Sequence, residues 1–265
     1  MRRLVSVAAC LVIGTAVAGP AHAAPAFRAY HGASAAEQAR QFKNLRAQGY
    51  HPITYNVTSG PRYAAVWVRG SAPAWMMLRG LSESGMQRKF NELLKQGYQP
   101  VSVSATGPAG SATFAAIWEK RSERFLSLHG LTPARFAQMN RQAADRGMAP
   151  VSIDVYGTPN DPRYAAVWRE HSGGPWAYTY GKTYRQHEAE FKTRVAKGFR
   201  PALTAVGPDG TITAIWRKDG VRRWYHYVDT SGAAYQRRFN QMTAKGMYPV
   251  QVNVEAGVYA SVWQR

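Results

Sequence analysis

One arrangement recurs five times along the chain and constrains its fold more than any other feature. A glycine followed three residues later by a proline appears at Gly49/Pro52, Gly97/Pro100, Gly147/Pro150, Gly198/Pro201 and Gly246/Pro249, at glycine spacings of 48, 50, 51 and 48 residues. Fifteen positions before each glycine stands a hydroxyl residue: Ser34, Ser82, Thr132, Thr183 and Ser231. A period near 50 that persists from end to end means a repeat architecture, in which neighbouring units bury a core that none could bury alone.

The three markers bound a helix. A helix leaves amides unsatisfied at its start and carbonyls at its end. The hydroxyls suit the N-cap, and Ser34 with Glu37 and Thr183 with Gln186 read as capping boxes, while Pro133 after Thr132 fits the first helical turn. The glycine suits the left-handed position just past the helix, and proline prevents continuation. Between them the positions eleven, seven and four before the glycine form an apolar stripe, for example Met86, Phe90 and Leu93; unit 3 departs from it with Asn140 in place of phenylalanine, with Met139 beside it to fill the space.

After the helix the pattern changes period. Ile53, Tyr55 and Val57 alternate with Thr54 and Asn56, and Val101, Val103 and Ala105 with Ser102 and Ser104, which predicts a strand packed on one side only. A turn rich in Gly, Pro, Asn and Asp leads to a return strand ending in Trp67, Trp118, Trp168, Trp216 or Trp263. Alanine two residues earlier, serine in the last unit, implies close approach by another layer. A short aromatic segment, such as Phe27–Tyr30 or Trp75–Leu78, opens each unit.

The expected fold is α+β: five tandem strand-helix-strand-strand repeats at about 27–74, 75–124, 125–175, 176–223 and 224–265, forming a single domain over 24–265. Open solenoids carry atypical polar capping repeats. Here the first and fifth units resemble the middle ones and the chain stops two residues after Trp263, so a closed ring, or a barrel-like or propeller-like assembly, is the expectation.

Residues 1–23 are set apart from this pattern. Arg2-Arg3, the apolar run Leu4–Ala18 and Ala21-His22-Ala23 have the three parts of a secretory signal, with cleavage expected before Ala24 and a secreted product. No later segment approaches the ~20 apolar residues of a spanning helix. Cleavage would remove Cys10, the sole cysteine, and two of the 34 Lys and Arg, leaving 32 against 15 Asp and Glu, a net +17. Such a charge favours anionic partners outside the cell, among them wall polymers, acidic glycans and lipid headgroups, with no specific nucleic acid implied.

The aromatic-x-x-x-x-Gly opening, the capped helix, Gly-Tyr-x-Pro, the alternating strand and Tyr-Ala-Ala-Val-Trp together resemble the bacterial tandem repeat domain that forms the N-terminal half of polyglycine hydrolases. The likeness covers residues 27–265. In those hydrolases the resemblance places the chemistry in a separate β-lactamase-like domain, and the Ser-x-x-Lys tetrad such a site needs is absent from this sequence.

Other chemistry finds little footing. Gly-x-Ser-x-Gly is absent, and His187-Glu188 lacks the second histidine of a zinc helix because Phe191 stands there, so neither a metal nor another cofactor is implied. His31 and His129 share a position before Gly32 and Gly130 without a repeated acid or base partner, which points to packing or hydrogen bonding at a strand end. The strongest repeated feature is the set Trp67, Trp118, Trp168, Trp216 and Trp263. It reads as core, or alternatively as an aromatic platform for sugar rings or bases, with Arg69, Lys120, Arg121, Arg169, Arg217 and Lys218 just beyond the strands. The functional expectation is a secreted, non-enzymatic repeat module that binds a polymer or a protein partner at the envelope or outside the cell. Its rival is a hydrolase related to polyglycine hydrolases, or an accessory subunit of one.

Overall fold

The computed structural model describes residues 24–265, so the expected signal sequence lies outside the described residues. Unit 1 contributes β1 (Phe27–Ala33), α1 (Ala35–Ala47), β2 (Tyr50–Thr58) and β3 (Arg62–Arg69). Unit 2 contributes β4 (Trp75–Leu81), α2 (Glu83–Lys95), β5 (Tyr98–Thr106) and β6 (Thr113–Lys120). Unit 3 follows with β7 (Phe125–Leu131), α3 (Pro133–Asp145), β8 (Met148–Thr158) and β9 (Asp161–Glu170), and unit 4 with β10 (Trp176–Lys182), α4 (Tyr184–Ala196), β11 (Arg200–Val206) and β12 (Ile212–Arg217). Unit 5 is β13 (Trp224–Asp229), α5 (Gly232–Ala244), β14 (Tyr248–Glu255) and β15 (Val258–Gln264).

The helix ends are set by the residues that the spacing identifies. Ser34 Oγ accepts the Glu37 N–H at 3.2 Å while the Glu37 carboxylate accepts the Ser34 N–H at 2.7 Å, and Thr183 and Gln186 repeat the exchange at 3.3 and 2.9 Å. The glycine past each helix has φ between 68° and 81°, the left-handed conformation that a side chain would strain.

In every unit the return strand is the centre of a three-stranded antiparallel sheet, with the opening strand on one edge and the strand after the helix on the other. In the first four units the opening strand slips register around its glycine; in unit 5, where Asp229 replaces the glycine, the pairing runs through without a shift.

The core is shared between units. Leu45, Tyr55, Tyr63, Ala65 and Trp67 of unit 1 pack with Ala115, Ile117, Trp75 and Met77 of unit 2. Unit 2 is covered in the same way by Ala165, Val167 and Tyr156 of unit 3, and unit 3 by Ala205, Ile215, Trp176 and Tyr178 of unit 4. The decisive cluster joins Tyr235, Met242, Val252 and Trp263 of unit 5 to Ala64, Val66 and Ala29 of unit 1. The last unit thus meets the first as each meets its successor, and the five separate sheets form a ring closed by packing.

The expectation that the strand after the helix is packed on one side only needs correcting. These five strands, β2, β5, β8, β11 and β14, are neighbours around the ring axis, and their polar faces point inward, where Asn56, Ser104, Asp154 and Asn253 are at most 3% exposed. Each strand is a sheet edge whose free backbone groups need partners, and the next unit's side chains supply them. Ser104 Oγ accepts the Val57 N–H at 3.0 Å, Asp154 Oδ2 the Ala105 N–H at 2.7 Å, Asn253 Oδ1 the Val206 N–H at 2.8 Å, and Asn56 Oδ1 the Val254 N–H at 3.0 Å. The last bond closes the ring. A second tier repeats the device: Ser152 Oγ accepts the Val103 N–H at 3.0 Å, and the Gln251 amide brackets the Thr204 N–H and C=O at 3.3 and 2.8 Å. Unit 4 carries Leu203 and Ala205 at these two positions, and its contact with unit 3 is apolar instead.

Asn253 also donates to Asp154 Oδ1 across the axis at 2.6 Å. Asn253→Ala orphans the Val206 N–H and removes that donor, so urea unfolding should show a loss of about 2–4 kcal/mol. The exposed Asn91→Ala should stay within about 0.5 kcal/mol of the parent.

Candidate functional site

The five repeated tryptophans are the natural place to start. All are 0% exposed. Trp67 lies edge-on to Phe42 of its own helix and to Trp75 of the next unit, with centroids 6.0 and 5.8 Å away, and Trp118, Trp216 and Trp263 have Phe90, Phe191 and Phe239 in the same relation. In unit 3, where Asn140 replaces the phenylalanine, its Oδ1 accepts the Trp168 indole N–H at 2.8 Å. No indole face is open to a sugar or a base. The alternative of a tryptophan platform is therefore corrected: Tyr63, Ala65 and Trp67 share a strand face, and that face turns onto the helix.

The cations beyond the return strands divide into two kinds. Arg69, Lys120 and Lys218 are exposed. Arg121 pairs with Glu119 and Glu123 at 2.6 and 3.0 Å. Arg169 is buried and donates Nη2 to the Pro100 carbonyl at 3.1 Å, while Arg217 does the same to Pro150 at 2.8 Å, one unit further round. Neither Nε has a partner. Burial holds both guanidiniums below their ordinary pKa, and the neighbouring Arg121 and Arg200 add to the effect.

Strand register places these groups relative to one another. Phe27 pairs with Val68 and Tyr50 with Arg69, and the equivalent pairs in the other units put the start of the opening strand, the end of the helix and the end of the return strand together. Because the inner strands lie side by side in one direction, this end of every unit faces one pole of the ring. The linkers between units lie there too, with exposed Arg124, Arg222 and Arg223. The opposite pole holds the hairpin tips and helix starts, where exposed Arg62 and Arg135 mix with Glu37, Asp161 and Asp209.

Inside the ring the inner strands enclose a cavity of about 80 Å³ lined by Asn56, Ser104, Asp154, Asn253 and their neighbours. Burial pushes the Asp154 carboxyl up to about 7, against several hydrogen bonds that favour its charged form. Glu255 is also raised to about 7, first by burial and then by Asp154. Among the described residues no three His, Cys, Asp or Glu side chains cluster so as to hold a metal ion, and no helix is long and apolar enough to cross a membrane.

The contact between units 4 and 5 differs from the rest. His187 takes the helical stripe position of Met86, and its ring lies 5.1 Å from that of His226 and 5.7 Å from Trp216. His226 Nε2 meets Thr204 Oγ1 at 3.0 Å, and the Trp216 indole donates to Thr179 at 3.0 Å. Both ring nitrogens of the fully buried His187 lack a partner. Burial lowers its pKa to about 4, against a small opposing effect of Glu190, and lowers His226 well below the usual range, with His187 adding to it. Sequence reasoning missed this pair, although its signal was present: a histidine stands in an otherwise apolar stripe.

His31 and His129 do serve strand ends. His31 bridges Tyr259 Oη and Gln236 Oε1 at 3.3 and 3.0 Å, and His129 Nδ1 stands 3.4 Å from the Glu83 carboxylate. Beside His31 a cleft of about 260 Å³ opens, because Ala29 occupies the position filled by Met77, Tyr178 and His226 in units 2, 4 and 5.

A family model described as "Polyglycine hydrolase-like, structural repeat" matches the chain five times, at residues 24–70, 72–121, 124–171, 173–219 and 221–265. No curated protein matches the chain.

Two outcomes follow for the side chains just placed. Trp67→Ala should behave as a core truncation, costing about 3–5 kcal/mol in urea unfolding. His187 and His226 are held neutral, so the stability they contribute is complete above about pH 6.5 and is lost as the pH falls toward 4. Asp154 and Glu255, raised from 3.8 and 4.5 to about 7, act oppositely, losing stability as the pH rises through that window. His187→Met leaves the carboxyls in place. On going from pH 7 to pH 4.5 it should lose about 2 kcal/mol less stability than the parent, and identical pH profiles would refute the assignment.

Proposed function

Because the chain belongs to the polyglycine hydrolase-like structural repeat family over all five units, we propose that it is a secreted, non-enzymatic repeat module. It binds a polymer or protein partner at the cell envelope or outside the cell. The observation that carries this reading is a closed ring that repeats one surface five times while, beyond residues 1–23, 32 Lys and Arg stand against 15 Asp and Glu. Multiplying a weak charged contact across one scaffold raises avidity without any single strong site. The sequence of residues 1–23, with its basic start, apolar run and small-residue end, supports export.

The family description keeps a rival alive, a serine-type hydrolase or the accessory subunit of one. Recombinant residues 24–265 incubated with purified wall fractions should be retained at low salt and released steeply as the salt rises past the range where the Debye length falls below about 8 Å. Failure to bind at low salt, or specific labelling by a serine-reactive fluorophosphonate, would overturn the reading.

A further inference from the structure

The surplus charge is not spread evenly over the ring. Every unit delivers its helix end, its return-strand end and the start of its opening strand to the same pole, and the linkers 121–124 and 218–223 cross there. Exposed cations gather accordingly, including Arg69 from unit 1, Lys95 and Lys120 from unit 2, Arg146 from unit 3, and Arg222 and Arg223 between units 4 and 5. Complementing the helix dipole accounts for a cation in the last turn of a helix. It does not account for Arg69, Lys120, Arg222 and Arg223, which lie outside any helix.

We infer that this pole is a docking face for a flexible linear polyanion of repeating phosphate groups; the inference rests on the binding reading above and names its surface and ligand chemistry. Cations contributed by units all round the ring suit an extended, repetitive partner. Four of those cations, Arg69, Arg146, Arg222 and Arg223, are exposed guanidiniums, whereas Arg169 and Arg217 are tied to the Pro100 and Pro150 carbonyls with their Nε buried. A guanidinium offers parallel N–H donors that match a phosphate's oxygens, which a lysine cannot do. Nucleic acid is disfavoured because the five return-strand tryptophans are 0% exposed, and Trp75, Trp176 and Trp224, half-buried at this pole, already pack against Phe42, Tyr178 and Phe191. A bilayer is disfavoured because, among the described residues, two of the three exposed large apolar side chains, Tyr180 and Tyr184, lie at the opposite pole around the start of α4, and Leu94 in the last turn of α2 is the single one at this pole, where a membrane-docking face needs an apolar surface.

The test uses inorganic polyphosphate and two quadruple variants with the same loss of charge. One reverses Arg69, Arg146, Arg222 and Arg223 to Glu at the basic pole; the other reverses Arg62, Arg79, Arg135 and Arg185 to Glu at the other pole. All eight are exposed. Polyphosphate affinity should fall about tenfold or more in the first and less than about threefold in the second, with a parent affinity that declines steeply with salt. In the unmodified protein, polyphosphate should shield Arg222 and Arg223, but not Arg62, from an arginine-modifying dione; this readout does not depend on the variants folding. Equal losses in both variants, or equal shielding at both poles, would show diffuse charge and overturn the inference. So would equally tight binding to vesicles of anionic lipid, to single-stranded DNA or to polyglutamate. Retention on wall fractions that both variants keep would sink this inference while leaving the binding reading intact.

Discussion

The amides and carbonyls along an unpaired strand edge must find partners, and the way this chain provides them governs the rest of its structure. A three-stranded sheet has two such edges, and five copies could have merged into one continuous sheet. They do not. The inner edge of four of the five sheets is met by short polar side chains of the next unit, so that Ser104, Asp154, Asn253 and Asn56 satisfy backbone groups one unit back. Fully satisfied buried networks of this kind specify one arrangement, because any slip leaves a buried group bare. The apolar faces then add the larger share of the stabilisation without needing to choose the register.

The junctions between units are equivalent in position and different in chemistry. Units 2 and 3 meet through serine and aspartate, units 3 and 4 through Leu203 and Ala205, and units 4 and 5 through an amide bracket and a neutral histidine pair. Each junction therefore has its own dependence on pH and temperature. A ring whose junctions differ also resists pairing a unit with the wrong neighbour, since His226 of unit 5 meets the Thr204 hydroxyl and the His187 ring of unit 4, side chains that the other units do not repeat at those positions.

Much of this was legible in the residues. The caps, the glycine stops, the hairpins and the order of elements follow from local chemistry that each unit repeats, and closure was readable from the likeness of the first unit to the last. The inner polar face was misread because alternation reports only that two faces differ, not that one of them is wet. A finer signal existed: Thr54, Asn56, Ser102, Ser104, Ser152, Asp154, Gln251 and Asn253 include no lysine or arginine, in a chain that carries 34 of them. The tryptophans were readable as invariant and as core, but the alternative of an exposed platform stayed open, because part of their cover comes from the next unit. The gathering of cations at one pole could not be seen at all until strand direction was known, since those residues are scattered along the sequence.

Closure by the last unit has a consequence for how the molecule is made. Ala29, Ala64 and Val66 of the first unit wait for Tyr235, Met242 and Trp263 of the fifth, a contact that spans nearly the whole chain and must come late in folding. Until it forms, a growing chain presents one adhesive flank with no cover. A second nascent chain would offer the missing surface equally well, so crowded synthesis would favour interlocked dimers that exchange their terminal units.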